Sequence, residues 1–208
     1  MPYELVVFDF DGTLADSFGW MMGIFPEVSE RFGLRRVTRE ELEVLRHQEP
    51  RAALAQLGVP LWKLPSIAMH VRGLAARDAE RIALFPGALA ALEAIDARGI
   101  ALAIVSSNSE ENVRRALGPH AARIRHYGCG AGMFGKRPKL RRVAQRAGAA
   151  PARVIAIGDE VRDIEAASAE GMDTGAVTWG YAAREALHRA SPTRMLDSFD
   201  ELLRVVTG

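Results

Sequence analysis

The chain has 208 residues, 49% of them hydrophobic, and 27 lysines and arginines against 26 aspartates and glutamates, for a formal net charge of +1. That balance excludes a global field suited to nucleic acid or to an anionic membrane surface, and no apolar run is long enough to span a bilayer. The single cysteine, Cys129, and five scattered histidines exclude a disulfide framework and any cysteine-based zinc site. The expectation is a cytoplasmic protein, since Met1-Pro2-Tyr3-Glu4 lacks a signal pattern, with one domain carrying a sizeable insertion or two small ones.

Leu5-Val6-Val7-Phe8 opens an apolar, β-branched run that closes at Asp11-Gly12, the pattern of a buried parallel strand ending in a turn. Asp9 and Asp11 are two apart at its carboxyl end, so both side chains can leave the strand on the same side. Such a pair repels itself unless a positive charge sits beside it, and a hard divalent cation with oxygen ligands is the usual solution. The competing reading is a strand followed by an ordinary Asp-Gly turn.

The next block is wholly helical. Asp16 or Ser17 caps a helix through about Phe32, with Trp20, Ile24, Val28 and Phe32 on one face. Thr38 and Glu41 form a capping box before a short helix to about His47. Pro50 starts a helix ending near Gly58, and a break at Pro60 to Pro65 precedes a helix from Ser66 to about Ile82. After Pro86-Gly87 the rhythm alternates: a helix from Ala88 to Ala97, a strand at 100–105, a helix from Ser109 through Leu117, and a weaker strand from Ile124 to Tyr127. A basic helix to about Ala147 leads to a strong strand ending at Gly158-Asp159. A helix from Val161 to Glu170, a strand from Thr174 to Thr178 and a last helix from Phe199 to Val206 follow. Alternating strands and helices imply a parallel sheet covered on both faces.

That reading brings Asp9, Asp11, Ser106, Lys136 and Asp159 towards one sheet edge. A carboxylate attacking phosphorus needs a metal for the phosphoryl oxygens, a hydroxyl and a cation for the remaining charge, and a second carboxyl for the leaving-group proton. Each residue also has a plainer reading. Ser106 fits a turn or helix cap, with Ser107 and Asn108 as substitutes. Lys136 fits a solvated surface charge, with Lys139 as its rival because the sequence reads Lys136-Arg137-Pro138-Lys139. Asp159, Glu160 and Asp163 fit a charged helix N-terminus.

Asp9-Phe10-Asp11-Gly12-Thr13, Val105-Ser106, Lys136 and Gly158-Asp159-Glu160-Val161-Arg162-Asp163 together resemble the four signature motifs of the haloacid dehalogenase superfamily. The match covers nearly the whole chain and is similar to the phosphoglycolate phosphatase-like subgroup. It implies an α/β fold, a Rossmann-like parallel sheet formed by residues 1–17 and 85–208, with an inserted all-helical cap at 18–84. It further implies that Asp9 is the nucleophile and Asp11 the general acid and base. Mg²⁺ would be held by Asp9, the Asp11 carbonyl and Asp159, and Gly12, Thr13, Ser106, Ser107, Asn108 and Lys136 would surround the phosphoryl group. Glu160 and Asp163 would stand behind the ligands, Asp163 orienting metal-bound water or Lys136.

The implied activity is Mg²⁺-dependent hydrolysis of a small phosphorylated metabolite by a monomer or homodimer, with no nucleic-acid or membrane partner. The competitors are a phosphomutase of the β-phosphoglucomutase type and a non-catalytic regulatory protein on the same fold. In the cap, Arg46, His47 and Arg51 read as a solvated helix face, the alternative being contact with an anionic substrate. Trp179-Gly180-Tyr181 reads as packing at the cap hinge, the alternative being a lining of the entrance, and Cys129 as a small buried apolar residue.

Overall fold

The computed structural model describes residues 3–45, 48, 50–78, 81–130 and 135–208. Its centre is β1 (Leu5–Phe8), buried on both faces, as its uninterrupted apolar sequence requires. Val6 and Phe8 pack into one layer with Leu92 and Ile95 of α5 (Ala88–Asp96), and with Leu202 and Val206 of α10 (Phe199–Thr207). Leu5 and Val7 point the other way, against Leu140 and Val143 of α7 (Lys136–Ala147) and Ala167 of α8 (Val161–Ser168). The two-residue period of one strand thus seeds both helical layers.

The six strands are all parallel, in the order β3-β2-β1-β4-β5-β6. Here β2 is Ala101–Ile104, β3 Ile124–Tyr127, β4 Val154–Gly158, β5 Asp173–Val177 and β6 Arg194–Leu196. This is the doubly wound order, whose direction reverses between β1 and β4, and ligands bind at that reversal beyond the carboxyl ends of the strands. Asp9 and Asp159 immediately follow β1 and β4. The remaining core helices are α6 (Glu110–Leu117), capped by the Ser109 hydroxyl, which accepts from the Asn112 amide, and α9 (Arg184–Arg189).

Between β1 and α5 lie α1 (Phe18–Phe32), α2 (Arg39–Leu45), α3 (Pro50–Gln56) and α4 (Leu64–Arg77). They enclose their own cluster of Ile24, Val28, Leu34, Val59 and Leu74. The expected Thr38 capping box is present: Thr38 N donates to Glu41 at 2.8 Å and Glu41 N to the Thr38 hydroxyl at 3.2 Å. The connectors to and from this block run side by side, Asp16 N donating to Ala83 O and Phe85 N to Leu14 O. Arg46 and His47 lie outside the described residues.

Both ends of α4 differ from the expectation, and two elements were not expected at all. α4 begins at Leu64, after a 3₁₀ turn at Leu61–Lys63, because Pro65 occupies the first helical turn, where its missing N–H costs nothing. It stops at Arg77, and Ile82 packs on the sheet side instead. α9 and β6 were not expected; with one buried side chain each, Leu187 and Leu196, they carry too little periodicity to show. No helix among the described residues is long and apolar enough to cross a membrane.

Candidate active site

The site starts where β1 stops. Asp9 N donates to Ile157 O of β4 at 2.8 Å, fixing the strand end. One Asp9 carboxylate oxygen accepts from Phe10 N at 2.7 Å and the other lies 2.7 Å from Lys136 Nζ. The chain then turns on itself, with Leu14 N and Ala15 N both donating to Phe10 O. Gly12 has φ +80°, and a Cβ there would stand 2.2 Å from Asp159 Oδ2, so only glycine fits this turn. Thr13 is buried and donates its hydroxyl to Asp159 Oδ1 at 2.8 Å.

Asp159 is wholly buried, and its second oxygen accepts from Tyr181 N at 2.8 Å. Four residues on, Asp163 sits in the first turn of α8 and accepts from Asp159 N and Glu160 N at 3.2 and 3.1 Å. Its other oxygen lies 2.5 Å from Lys136 Nζ. Lys136, the first residue of α7, therefore bridges Asp9 and Asp163. Lys139, one turn further along α7, donates instead to the carbonyl of half-buried Cys129.

Beyond β2, Ser106 is buried and its Oγ accepts from Asn108 N at 3.0 Å. The Asn108 side chain donates to Asp11 at 3.2 Å, so Asn108 orients a carboxylate. Ser107 is exposed, and no described hydrogen bond joins it to the cluster. Glu160 pairs with Arg162 at the edge of the site. The structure thus gathers Asp9, Lys136, Asp163, Asp159 and Thr13 into one hydrogen-bonded set and joins Asp11, Asn108 and Ser106 in a second. Ser107 and Lys139 stand outside both.

The haloacid dehalogenase-like hydrolase profile matches residues 6–177, from β1 through β5. The chain belongs to the haloacid dehalogenase-like hydrolase family. Among relatives of this hydrolase, phosphoglycolate phosphatase of Synechococcus elongatus is 32% identical over 206 residues, which cover 98% of this chain and 97% of the relative. Tyrosine-protein kinase PtkA of Mycobacterium tuberculosis is 27% identical over 91% of this chain and 67% of its own length. A haloacid dehalogenase-like hydrolase from Streptococcus pneumoniae superposes with a TM-score of 0.81, covering 98% of each chain at 19% identity, a likeness of fold.

In this hydrolase the carboxylates outnumber the cations around them. Burial pushes the Asp159 carboxyl well above its ordinary range, and the nearby Glu160, Asp163 and Asp9 charges push the same way. Burial also raises Asp9, against the pull of Lys136. Asp11 is pushed up to about 6, by burial first and by the Asp9 charge second. Burial works to lower the Lys136 ammonium, but Asp163 and Asp9 beside it outweigh that and hold it above an ordinary lysine. Oxygens of Asp9, Asp159 and Asp163, all buried, lie within 4.8 Å of one another. Hard oxygen donors packed this closely, with one ammonium between two of them, fit a divalent cation such as Mg²⁺.

Two contributors to this site were not assigned to it from the sequence. Ser17, expected as a helix cap, makes no side-chain cap bond and instead meets the Tyr181 hydroxyl at 2.7 Å. Trp179-Gly180-Tyr181 follows β5 and touches the Thr13 carbonyl and Asp159, and the signal available for it was a glycine between two aromatics at a strand's carboxyl end.

Proposed function

We propose that this phosphatase of the haloacid dehalogenase-like family hydrolyses a small phosphorylated metabolite through a phosphoryl group carried on Asp9, with Asp11 as acid and then base. The observation that carries the reading is the buried pairing of Asp9 with Lys136 at 2.7 Å, at the reversal point of the sheet. Asp9 presents an oxygen to phosphorus, Lys136 balances charge on the phosphoryl oxygens, and Asp163 holds the lysine in place. Ser106 and the turn at Gly12 and Thr13 close around the phosphoryl group. Bound at Asp9, Asp159 and the Asp11 carbonyl, Mg²⁺ would supply electrostatic stabilisation of the phosphoryl oxygens. Asp11 gives a proton to the departing oxygen and later takes one from the attacking water.

Residues 18–84 serve as a cap that excludes water and selects the organic part of the substrate. The apolar space between α1, α3 and α4, about 770 Å³, counts Arg72 and Gly135, the residue before Lys136, among its lining residues. Similarity to the Synechococcus phosphatase makes 2-phosphoglycolate the first metabolite to try. The test is a panel of phosphorylated metabolites and p-nitrophenyl phosphate with Mg²⁺ and with EDTA. Turnover that needs Mg²⁺ is the expected result, and none across the panel would overturn the reading. Product analysis separates hydrolysis from transfer to a second hydroxyl.

Asp159→Asn tests the metal assignment. The asparagine carbonyl can still accept from Tyr181 N, and its NH₂ can meet the Thr13 hydroxyl, which serves as acceptor as readily as donor. The fold should therefore persist while a charged ligand is lost. Calorimetric Mg²⁺ affinity and activity should fall together with little change in melting temperature, and an unchanged affinity would place the ion elsewhere.

Gly180→Ala should act on the same carboxylate from the other side. A Cβ at Gly180 would lie 2.1 Å from Asp159 Cβ and 2.5 Å from the Gly12 carbonyl, so one of them must move. The expected outcome is a loss of Mg²⁺ affinity of roughly 10–100-fold, the range for groups that orient metal ligands, read from the Mg²⁺ dependence of turnover.

A further inference from the structure

α4 carries two apolar stripes where a helix that only closed the core of the helical block would need one. Leu64, Ile67, Val71 and Leu74 pack into the cluster around Ile24 and Val28. Pro65, Ala68 and Met69 fall on a second line at spacings of three and four, and all three stay exposed, Met69 by 67%. They line the space of about 770 Å³, as do Met21 and Phe25, one turn apart on α1. Every described residue lining it is apolar or glycine except Arg72. Its volume falls within the roughly 300–1,000 Å³ of small-ligand pockets.

This space adjoins the catalytic residues at two places. Gly135, on its wall, immediately precedes Lys136, which pairs with Asp9 at 2.7 Å. Arg72 ends the second stripe of α4, and its carbonyl accepts from Asn112 Nδ2 at 3.2 Å. The same nitrogen donates to Asn108 Oδ1 at 3.1 Å, and the Asn108 amide donates to Asp11. The apolar line from Pro65 to Arg72, about 10 Å long at the helical rise, therefore ends on the turn of α4 that is hydrogen-bonded through two asparagines to the acid/base carboxylate.

We propose that this space seats the leaving group of the substrate and that the group is an extended apolar one rather than a short polar one, an inference that rests on the phosphatase reading above and narrows its substrate class. The leaving oxygen must lie beside Asp11, which protonates it. Asp11 is the carboxylate tied through Asn108 and Asn112 to Arg72, so the organic group departs on the side of this space. A hydrocarbon chain laid along Pro65, Ala68 and Met69 removes its own apolar surface and theirs from water together. A two-carbon acid such as 2-phosphoglycolate covers little of that wall and brings a carboxylate that only Arg72 can meet there.

The test measures kcat/KM, with Mg²⁺ present, for ethyl, butyl, hexyl and octyl phosphate and for 2-phosphoglycolate. The four alkyl esters share one kind of leaving oxygen, so differences among them report what the chain touches. The expected result is a rise of roughly 2–4-fold per added methylene until the space is filled, with 2-phosphoglycolate below hexyl phosphate. Met69→Glu alters an exposed position, so the protein should fold, and it should flatten the rise. Ala68→Trp, also at an exposed position, should occupy part of the space and move the best substrate to a shorter chain. General damage would instead lower all the esters alike and leave the dependence on chain length unchanged, which would overturn the assignment of these side chains. A flat or falling alkyl series, with ethyl phosphate or 2-phosphoglycolate still turned over, would overturn the proposal and leave the phosphatase reading standing. Turnover of none of these esters by the unaltered protein would overturn both. A flat series joined to a dimer that Met69→Glu dissociates in sedimentation would give this face to a second copy of the chain instead.

Discussion

Asp9→Asn is expected to remove phosphoryl transfer with every ester, by on the order of 10⁴–10⁶-fold, the scale on which loss of a covalent nucleophile is felt. An amide oxygen is a poor nucleophile, and no neighbour can replace it. Lys136 and Asp163 hold each other, and the oxygens of Asp159 are occupied by Thr13 and Tyr181 N. The fold should persist. The asparagine carbonyl can accept from Phe10 N, as Asp9 now does at 2.7 Å; its NH₂ then faces Lys136, which loses one of its two carboxylates and keeps Asp163, while one charge leaves a buried cluster in which carboxylates are in excess. A folded protein, with turnover of p-nitrophenyl phosphate lost and no phosphorylated peptide in rapid-quench mass spectrometry, is the expected combination. Turnover within tenfold of the unaltered protein would remove Asp9 from the role of nucleophile.

The parts of this site that could be read from the sequence are those where one local rule acts alone. A strand buried on both faces must be apolar throughout, so β1, β2 and β4 stand out, and the polar residue that ends each run marks the sheet edge. Asp9, Asp11 and Asp159 are placed by that rule. Lys136 was harder, because the neighbouring arginines and Lys139 offer the same charge. What separates them is which face of α7 they occupy: Lys136 meets Asp163 and Asp9, and Lys139 meets Cys129 O. Asn108 looked like a stand-in for Ser106, and its contact with Asp11 depends on how the chain bends after β2. The Ser17–Tyr181 contact joins residues 164 apart and requires the connector and the segment after β5 to meet over Asp159, which no local pattern encodes. β6 was invisible for another reason, since three residues with one buried leucine carry no period.

The second expected result concerns the other carboxylate of the first motif. Asp11→Asn should keep the nucleophile while removing the group that moves protons, a loss of about 10²–10⁴-fold for each such role. Asp11 suits that task because burial and the charge of Asp9 push its carboxyl up to about 6, close enough to neutrality for both protonation states to be accessible. An asparagine fits the same place: its amide can meet the Asn108 side chain in either orientation, since that partner can donate and accept. The two half-reactions should then respond differently. A nitrophenolate leaves without help, so p-nitrophenyl phosphate should still phosphorylate Asp9. Attack of water on the phosphorylated Asp9 needs a base, and that step should stall. A burst of nitrophenol close to one equivalent per enzyme should appear, followed by slow turnover, and a mass increase of about 80 Da should be found on the peptide containing Asp9, as covalent catalysis requires. An alkyl phosphate, whose leaving group does need a proton, should give neither burst nor phosphorylated peptide on the same timescale. Phosphate on a serine or histidine, or undiminished steady turnover without any phosphorylated intermediate, would show that Asp11 is not the acid and base and that phosphoryl transfer follows another route.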